Sequence, residues 1–190
     1  MNDTLKTIAE RYSCRSFQDK MPPDDLLNAI TDAALAAPSG VNRQPWRVIL
    51  VKDTALILEM EAEGMRIVSD MTDKSSYERI MSRGGAMYYH APCMIMVPIA
   101  SNAKPMALID CGILCENVAL AAHSLGLGSV ICGMAGTALS GPKGDYFKQK
   151  LGFPEGYEFG ISVLLGYAEK VAAPHALDIS KLSVITADGK

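Results

Sequence analysis

The chain has 190 residues, of which 49% are hydrophobic, and 18 Lys and Arg stand against 21 Asp and Glu for a net charge of −3. That balance suits one domain, 1–190, with a proper core, and excludes a disordered chain. No lysine–arginine run exists, the apolar runs are too short or too interrupted for a bilayer, and no basic-then-apolar leader follows Met1. The expectation is therefore a cytoplasmic protein with neither a nucleic-acid nor a membrane partner.

In chain order, residues 3–11 read as a short helix that ends at a pair of arginines. Met21-Pro22-Pro23-Asp24-Asp25 is a helix start, with prolines suited to a first turn and acids at the positive end of the dipole. Leu26, Leu27, Ile30, Ala33, Ala34 and Ala37 then repeat at the helical period. Trp46–Val51 is apolar apart from Arg47 and rich in β-branched residues, which predicts an interior strand. Thr54 is a candidate cap for a helix through about Glu63, stopped by Gly64. Residues 65–84 mix Met65, Ile67, Val68 and Met71 with charges and are expected to form helix or lid, with a break at Arg83-Gly84-Gly85.

Cys93–Val97 is a second strand, bounded by Pro92 and Pro98. Residues 105–125 are apolar nearly all round a helix, with Asp110, Glu116, Asn117 and His123 as the exceptions. A helix apolar on every side is buried, and an oligomer interface is a common reason to need one. Asn117 is expected to make a structural hydrogen bond, because an unpaired buried amide is costly. Gly126 is a natural stop. Ser129–Cys132 reads as a third strand ended by Gly133-Met134-Ala135-Gly136, residues 142–151 as an amphipathic helix, and Tyr157–Tyr167 as a fourth strand. Residues 168–190 are a tail in which Leu177, Ile179, Leu182, Val184 and Ile185 are available for docking. Cys14, Cys93, Cys111, Cys115 and Cys132 are read as buried free thiols, and no metal site is expected because the His residues are scattered. Tyr88-Tyr89-His90 reads as a core edge with one wet face. No P-loop, nucleophile elbow or Rossmann fingerprint is present.

Two stretches carry chemistry. In Arg11-Tyr12-Ser13-Cys14-Arg15-Ser16-Phe17, two arginines flank a serine, and guanidinium forks match phosphate oxygens. In Pro38-Ser39-Gly40-Val41-Asn42-Arg43-Gln44-Pro45-Trp46, three neutral hydrogen-bonding side chains sit on a stiffened helix-to-strand loop that suits a flat polar heterocycle or a sugar alcohol. Pro45 biases Gln44 towards extended backbone, and Trp46 anchors the loop.

Taken together, Arg11-x-Ser13-x-Arg15-x-Phe17 and Ala37-Pro38-Ser39-Gly40-x-Asn42-x-Gln44-Pro45-Trp46 resemble the nitroreductase family of FMN-dependent oxidoreductases. Gly126-Leu127-Gly128-Ser129 and Gly160–Tyr167 follow the same pattern, in order, to about residue 168. The resemblance implies an α+β fold, a central mixed sheet wrapped by helices, in an intertwined homodimer with two flavins at the interface. It implies FMN as cofactor, NADH or NADPH as donor, and a ping-pong transfer to a nitroaromatic or quinone type of acceptor. No catalytic side chain is required, since the cofactor carries the chemistry. By the same resemblance Arg11 and Ser13 hold the phosphate and ribityl end, and Arg15 lies by the pyrimidine edge. Ser39, Gly40, Asn42 and Gln44 reach the partner's flavin, and backbone at Cys132, Gly133 and Met134 faces the N5 and O4 edge. The family places Lys or Arg after the last strand to complete the phosphate clamp. This chain offers only Lys170 and His175 there, and the tail is expected to dock on the partner subunit. Other outcomes on the same fold are a reductive dehalogenase, a flavin-consuming enzyme, or a non-catalytic flavin-binding dimer.

Overall fold

The alternation of side chains along two strands sets the layering. In a computed structural model that describes residues 1–103 and 105–186, strand β2 (Cys93–Ala100) pairs antiparallel with β4 (Tyr157–Gly166) across the centre of the sheet. Cys93, Ile95 and Val97 of β2 and Val163 and Leu165 of β4 enter one core cluster, while Met94, Met96 and Leu164 enter the other. Successive strand side chains point to opposite faces, so β2 and the second half of β4 are covered on both sides, and apart from Ser162 they are apolar there. Helices α2 (Asp24–Leu35) and α5 (Met106–Ser124) cover the first face. Helices α3 (Thr54–Asp70), α4 (Ser75–Met81), α6 (Gly136–Ser140) and α7 (Gly144–Leu151) cover the second. Helix α1 (Asp3–Glu10) lies outside, capped by Asn2, whose side chain accepts from the Leu5 amide.

The strand order is β1-β2-β4-β3, with β1 Ile49–Val51 and β3 Gly128–Ile131, and all three pairings are antiparallel. The mixed character expected of the sheet rests on one isolated parallel bridge, Ser13 to Ser129. The β1 strand is an edge strand, not the interior one expected, and it is short. Trp46 bridges Ile99 in the same register, and the Arg47 amide donates to Pro98 O at 2.9 Å. Pro98 has no amide to return, so the ladder is interrupted there. Pro98 was expected to end β2; instead the strand passes through it, and its register against β4 slips between Val97 and Pro98, the irregularity at which a strand tolerates proline.

Two further expectations, both about α3, are corrected. Asp53, not Thr54, caps α3 by accepting from the Leu56 amide. Helix α3 runs through Gly64 to Asp70, because a Cβ at Gly64 would lie 2.8 Å from Met87 Sδ; that glycine permits close packing and does not stop the helix. The expected break at Gly84 and Gly85 is present, both with positive φ. Helix α5 is by length and composition alone a match for a membrane span, yet Leu114, Cys115, Val118 and Ala122 are buried against α2 and the sheet. Asn117 donates to Ala33 O at 3.0 Å and ties α5 to α2, as expected. The opposite face of α5 leaves Met106, Leu108, Ile109 and Ile113 exposed, with Ile109 57% exposed. The tail also leaves Leu177, Ile179, Leu182, Val184 and Ile185 open; residues 187–190 of it lie outside the described residues.

Candidate functional site

The arginine motif is a strap laid along the edge of the sheet. Helix α1 ends at Glu10, and the chain then turns to run beside β3: the Cys14 amide donates to Ser129 O at 2.8 Å, beside the Ser13–Ser129 bridge. Beyond it, Phe17 bridges Ala168, the Gln18 amide donates to Tyr167 O at 2.9 Å, and the Glu169 amide donates to Ser16 O at 2.9 Å. Ser16 also hydrogen-bonds the Glu169 carboxylate. The strap is thus fastened to β3 on one side and to the end of β4 on the other. Cys14 and Phe17 point into the core, while Arg15 is exposed and its Nη1 reaches Ser13 O at 3.5 Å. Burial pushes the Cys14 thiol above its ordinary value, against a hydrogen bond to Ser16 and the nearby Arg15 charge.

Arg11 is the anion-binding candidate. Its Nε is buried without a hydrogen-bond partner and lies 3.4 Å from Glu116 Oε1 on α5, an ion pair whose geometry leaves the donor unused. Arg11 lines a cleft of about 340 Å³ between α1, α5 and the tail, together with Leu5, Ile8, Glu116, His175 and Leu177. His175 therefore shares a cleft with Arg11; Lys170 does not line it.

At the far end of β3 the chain makes a tight turn over Gly133–Ala135 into α6. The Cys132 amide donates to Ser162 O at 2.8 Å, and Ser162 Oγ donates back to Cys132 O at 2.6 Å, which fixes the turn to β4. Burial raises the Cys132 thiol, while hydrogen bonds from the Met134 and Ala135 amides pull the other way. Gly133 is exposed, and the nearest atom to a Cβ built there is Ile161 Cδ1 at 3.9 Å, so space for a ligand against its backbone exists.

The loop after α2 is strained. Val41, Asn42 and Gln44 have φ of 46°, 56° and 47°. Asn tolerates this region, but a β-branched residue does not, and each such residue costs on the order of 1–3 kcal/mol. Gln44 is therefore left-handed and not extended as expected before Pro45. Local bonds impose this: the Gln44 amide donates to Ser39 Oγ at 2.9 Å and its Nε2 to Asn42 Oδ1 at 2.9 Å. The Gly40 amide donates to Asp110 Oδ1 at 3.0 Å. Gly40, Val41, Asn42, Arg43 and Gln44 all face outward, and Val41 is 84% exposed.

The sites fall into two groups on this one chain. Arg11 and His175 share the cleft at α1 and α5, Ser13 and Arg15 lie on the strap that bridges β3 at Ser129, and the Cys132–Met134 turn follows that strand's other end. Ser39, Gly40, Asn42 and Gln44 gather at the start of α5. The contacts on α5, Asp110 and Glu116, are six residues apart, roughly 9 Å along the axis and about 120° around it. Sequence reasoning singled out both acids only as interruptions of an apolar pattern; that interruption was the signal, and what it lacked was the partner of each.

A helix-wrapped, largely antiparallel sheet with an arginine strap at its edge and a glycine turn at the strand's end defines a protein of the nitroreductase type. The Nitroreductase family model matches residues 8–167, and the chain belongs to that family. A nitroreductase from Desulfitobacterium hafniense, solved with bound FMN, superposes with a TM-score of 0.96 at 56% identity, covering 98% of this chain and 100% of that one. A nitroreductase from Bacteroides fragilis, also solved with bound FMN, gives 0.87 at 30% identity with 98% and 100% covered. A relative from Methanothermobacter thermautotrophicus, provisionally named an NADH dehydrogenase/NAD(P)H nitroreductase, is 33% identical over 135 residues, 70% of this chain and 61% of its own length. The chain thus spans less than two thirds of that relative.

Proposed function

We propose that this protein is an FMN-dependent oxidoreductase that takes reducing equivalents from NADH or NADPH and passes them to an electron-poor acceptor of the nitroaromatic or quinone type. The observation that carries this is the strap: Arg11, on a segment fastened at both ends, lines a cleft and keeps its buried Nε without a hydrogen-bond partner. An unused buried donor is what an absent anion leaves behind, so the residues fit a flavin phosphate. FMN supplies hydride transfer through its ring when bound.

The chain's own groups supply placement. Arg11 and Ser13 would hold the phosphate and ribityl end, and His175, which lines the cleft with Arg11, fits the second clamp better than Lys170. Arg15 would set a fixed positive charge by the pyrimidine edge. Of the backbone at Cys132, Gly133 and Met134, the exposed Gly133 is best placed to meet a ring edge. The outward loop of Ser39, Gly40, Asn42 and Gln44 would reach the flavin of a second copy. The exposed apolar face of α5 and the exposed apolar tail support a homodimer, since a lone chain would leave both in water. Donor and acceptor would use one open face in turn, which is ping-pong kinetics.

The test is purified protein titrated with FMN, then NADH and NADPH, while light scattering follows assembly across a dilution series. A yellow dimer bleached by a nicotinamide supports the reading. A yellow protein that never bleaches would leave a flavin-binding dimer, and a colourless monomer indifferent to FMN would overturn it.

A further inference from the structure

We infer that Asp110 is a positioning residue, which holds the strained Ser39–Gln44 loop in the shape that serves the partner's cofactor. The inference rests on the reading above, that this loop reaches a flavin in a second copy. Asp110 stands in an otherwise apolar stretch of α5 and is 5% exposed. A buried carboxyl needs a specific partner, and Asp110 Oδ1 accepts the Gly40 amide at 3.0 Å. The bond falls at the entry to three left-handed departures within one loop, at Val41, Asn42 and Gln44. The other loop bonds, Gln44 N–H to Ser39 Oγ and Gln44 Nε2 to Asn42 Oδ1, close the loop on itself but tie it to nothing else. Trp46 anchors the chain just beyond the loop, and among the described residues Asp110 is the side chain that ties the Gly40 end of it to the body of the fold, on the helix whose far face is exposed and apolar. A loop held against its backbone preference needs such an external tie, because strain persists only where the surroundings over-determine it. Without the tie the loop relaxes, and its side chains no longer present one arrangement to a ligand.

The test uses the dimer and reads FMN affinity and stoichiometry, not turnover. Asp110→Ala should weaken FMN binding by about 10-fold or more, the scale of losing a hydrogen bond to a charged group. Asp110→Asn keeps an acceptor oxygen and should stay within about 3-fold of the native affinity. The second reading mixes subunits. Arg11→Ala homodimers and Asp110→Ala homodimers each lack tight sites. In a mixed dimer both lesions fall in one site if the loop acts on the partner's flavin, and the other site is intact. One tight FMN per mixed dimer supports the inference; no tight site overturns it, as does native affinity in Asp110→Ala. If that variant does not fold, exchange of the Gly40 amide decides: slow exchange in the native protein, modestly accelerated in Asp110→Asn because a neutral acceptor holds the amide less strongly, supports the tie, and fast native exchange or no acceleration in that variant removes it. That last measurement needs no flavin. A protein that ignores FMN but protects Gly40 therefore refutes the proposed function and leaves the tie standing.

Discussion

Gly128→Ala tests whether the arginine strap is held by packing as well as by hydrogen bonds. A Cβ at Gly128 would lie 2.8 Å from both Cβ and Sγ of Cys14 and 3.4 Å from Ala168 Cβ. The thiol can rotate away, but Cys14 Cβ moves only with the strap backbone. The strap must therefore lift by several tenths of an ångström at the point where the Cys14 amide meets Ser129 O at 2.8 Å. Overpacking of this kind costs about 1–3 kcal/mol, and a lengthened backbone bond adds about 1 kcal/mol. In a domain of this size a loss of about 2–4 kcal/mol lowers Tm by roughly 4–16 °C. The functional consequence is larger than for an ordinary core lesion, because Arg11, Ser13 and Arg15 all ride on the displaced segment. FMN affinity should fall by about 10-fold or more, since misplacing a charge-assisted pair forfeits much of its strength. Calorimetry and fluorescence titration measure the two effects. The Cys14→Gly, Gly128→Ala double variant removes the obstructing Cβ and should recover affinity relative to Gly128→Ala alone, a coupling of the kind a mutant cycle isolates. A Gly128→Ala protein with native Tm and native FMN affinity would refute the argument, and the strap would then be positioned by something other than its contact with β3.

Arg11→Ala should weaken FMN binding by about 1.5–3 kcal/mol, read by titration of apoprotein; unchanged affinity would move the phosphate site away from the cleft shared with His175. Arg15→Gln should leave FMN bound but shift its two-electron potential more negative by about 20–65 mV, because a nearby cation is worth about 1–3 kcal/mol more to a reduced, negatively charged ring than to a neutral one; a redox titration against a reference dye checks it. The Arg66 guanidinium, hydrogen-bonded to Glu63, holds the Glu63 carboxyl below its usual 4.5, so its stabilising contribution is present above that value and lost as pH falls through the lowered one; Glu63→Gln should flatten the acid limb of a Tm-against-pH curve. Burial pushes the Cys93, Cys111 and Cys115 thiols up to about 12, so they should resist alkylation at about pH 8 until denaturant exposes them, since the thiolate is the nucleophile.

Periodicity made most elements legible, because α2, α7, β2 and the second half of β4 bury the faces that their own residues mark. What escaped depends on neighbours far along the chain. Nothing near Gly64 tells that Met87 packs on it, so a helix end and a close approach look alike in sequence. Pro98 reads as a boundary until a slipped register against β4 accommodates it. Gln44 before Pro45 reads as extended, since the rule weighs only the two residues; the bonds to Ser39 and Asn42 outweigh it. The strap residues were legible as a motif, yet the motif does not disclose the bonds to β3 and to the Tyr167–Glu169 segment that make it rigid.

Helix α5 joins the parts of the site that sequence lists separately. Its core-facing residues anchor it to the sheet, and its outward face is apolar with nothing among the described residues to cover it. Between those faces sit two acids with unlike tasks: Glu116 lies beside the strap's Arg11, and Asp110 holds the loop. If one copy's strap and another copy's loop meet a single ligand, then each copy's α5 helps to position one part of its own site and one part of its neighbour's. A shift of this helix would disturb both sites at once, so the pressure to keep it fixed is double. In the proposed dimer, burying its apolar face against a second copy would supply that fixity, and the same contact would bring loop and strap together. Assembly and cofactor retention would then be one equilibrium.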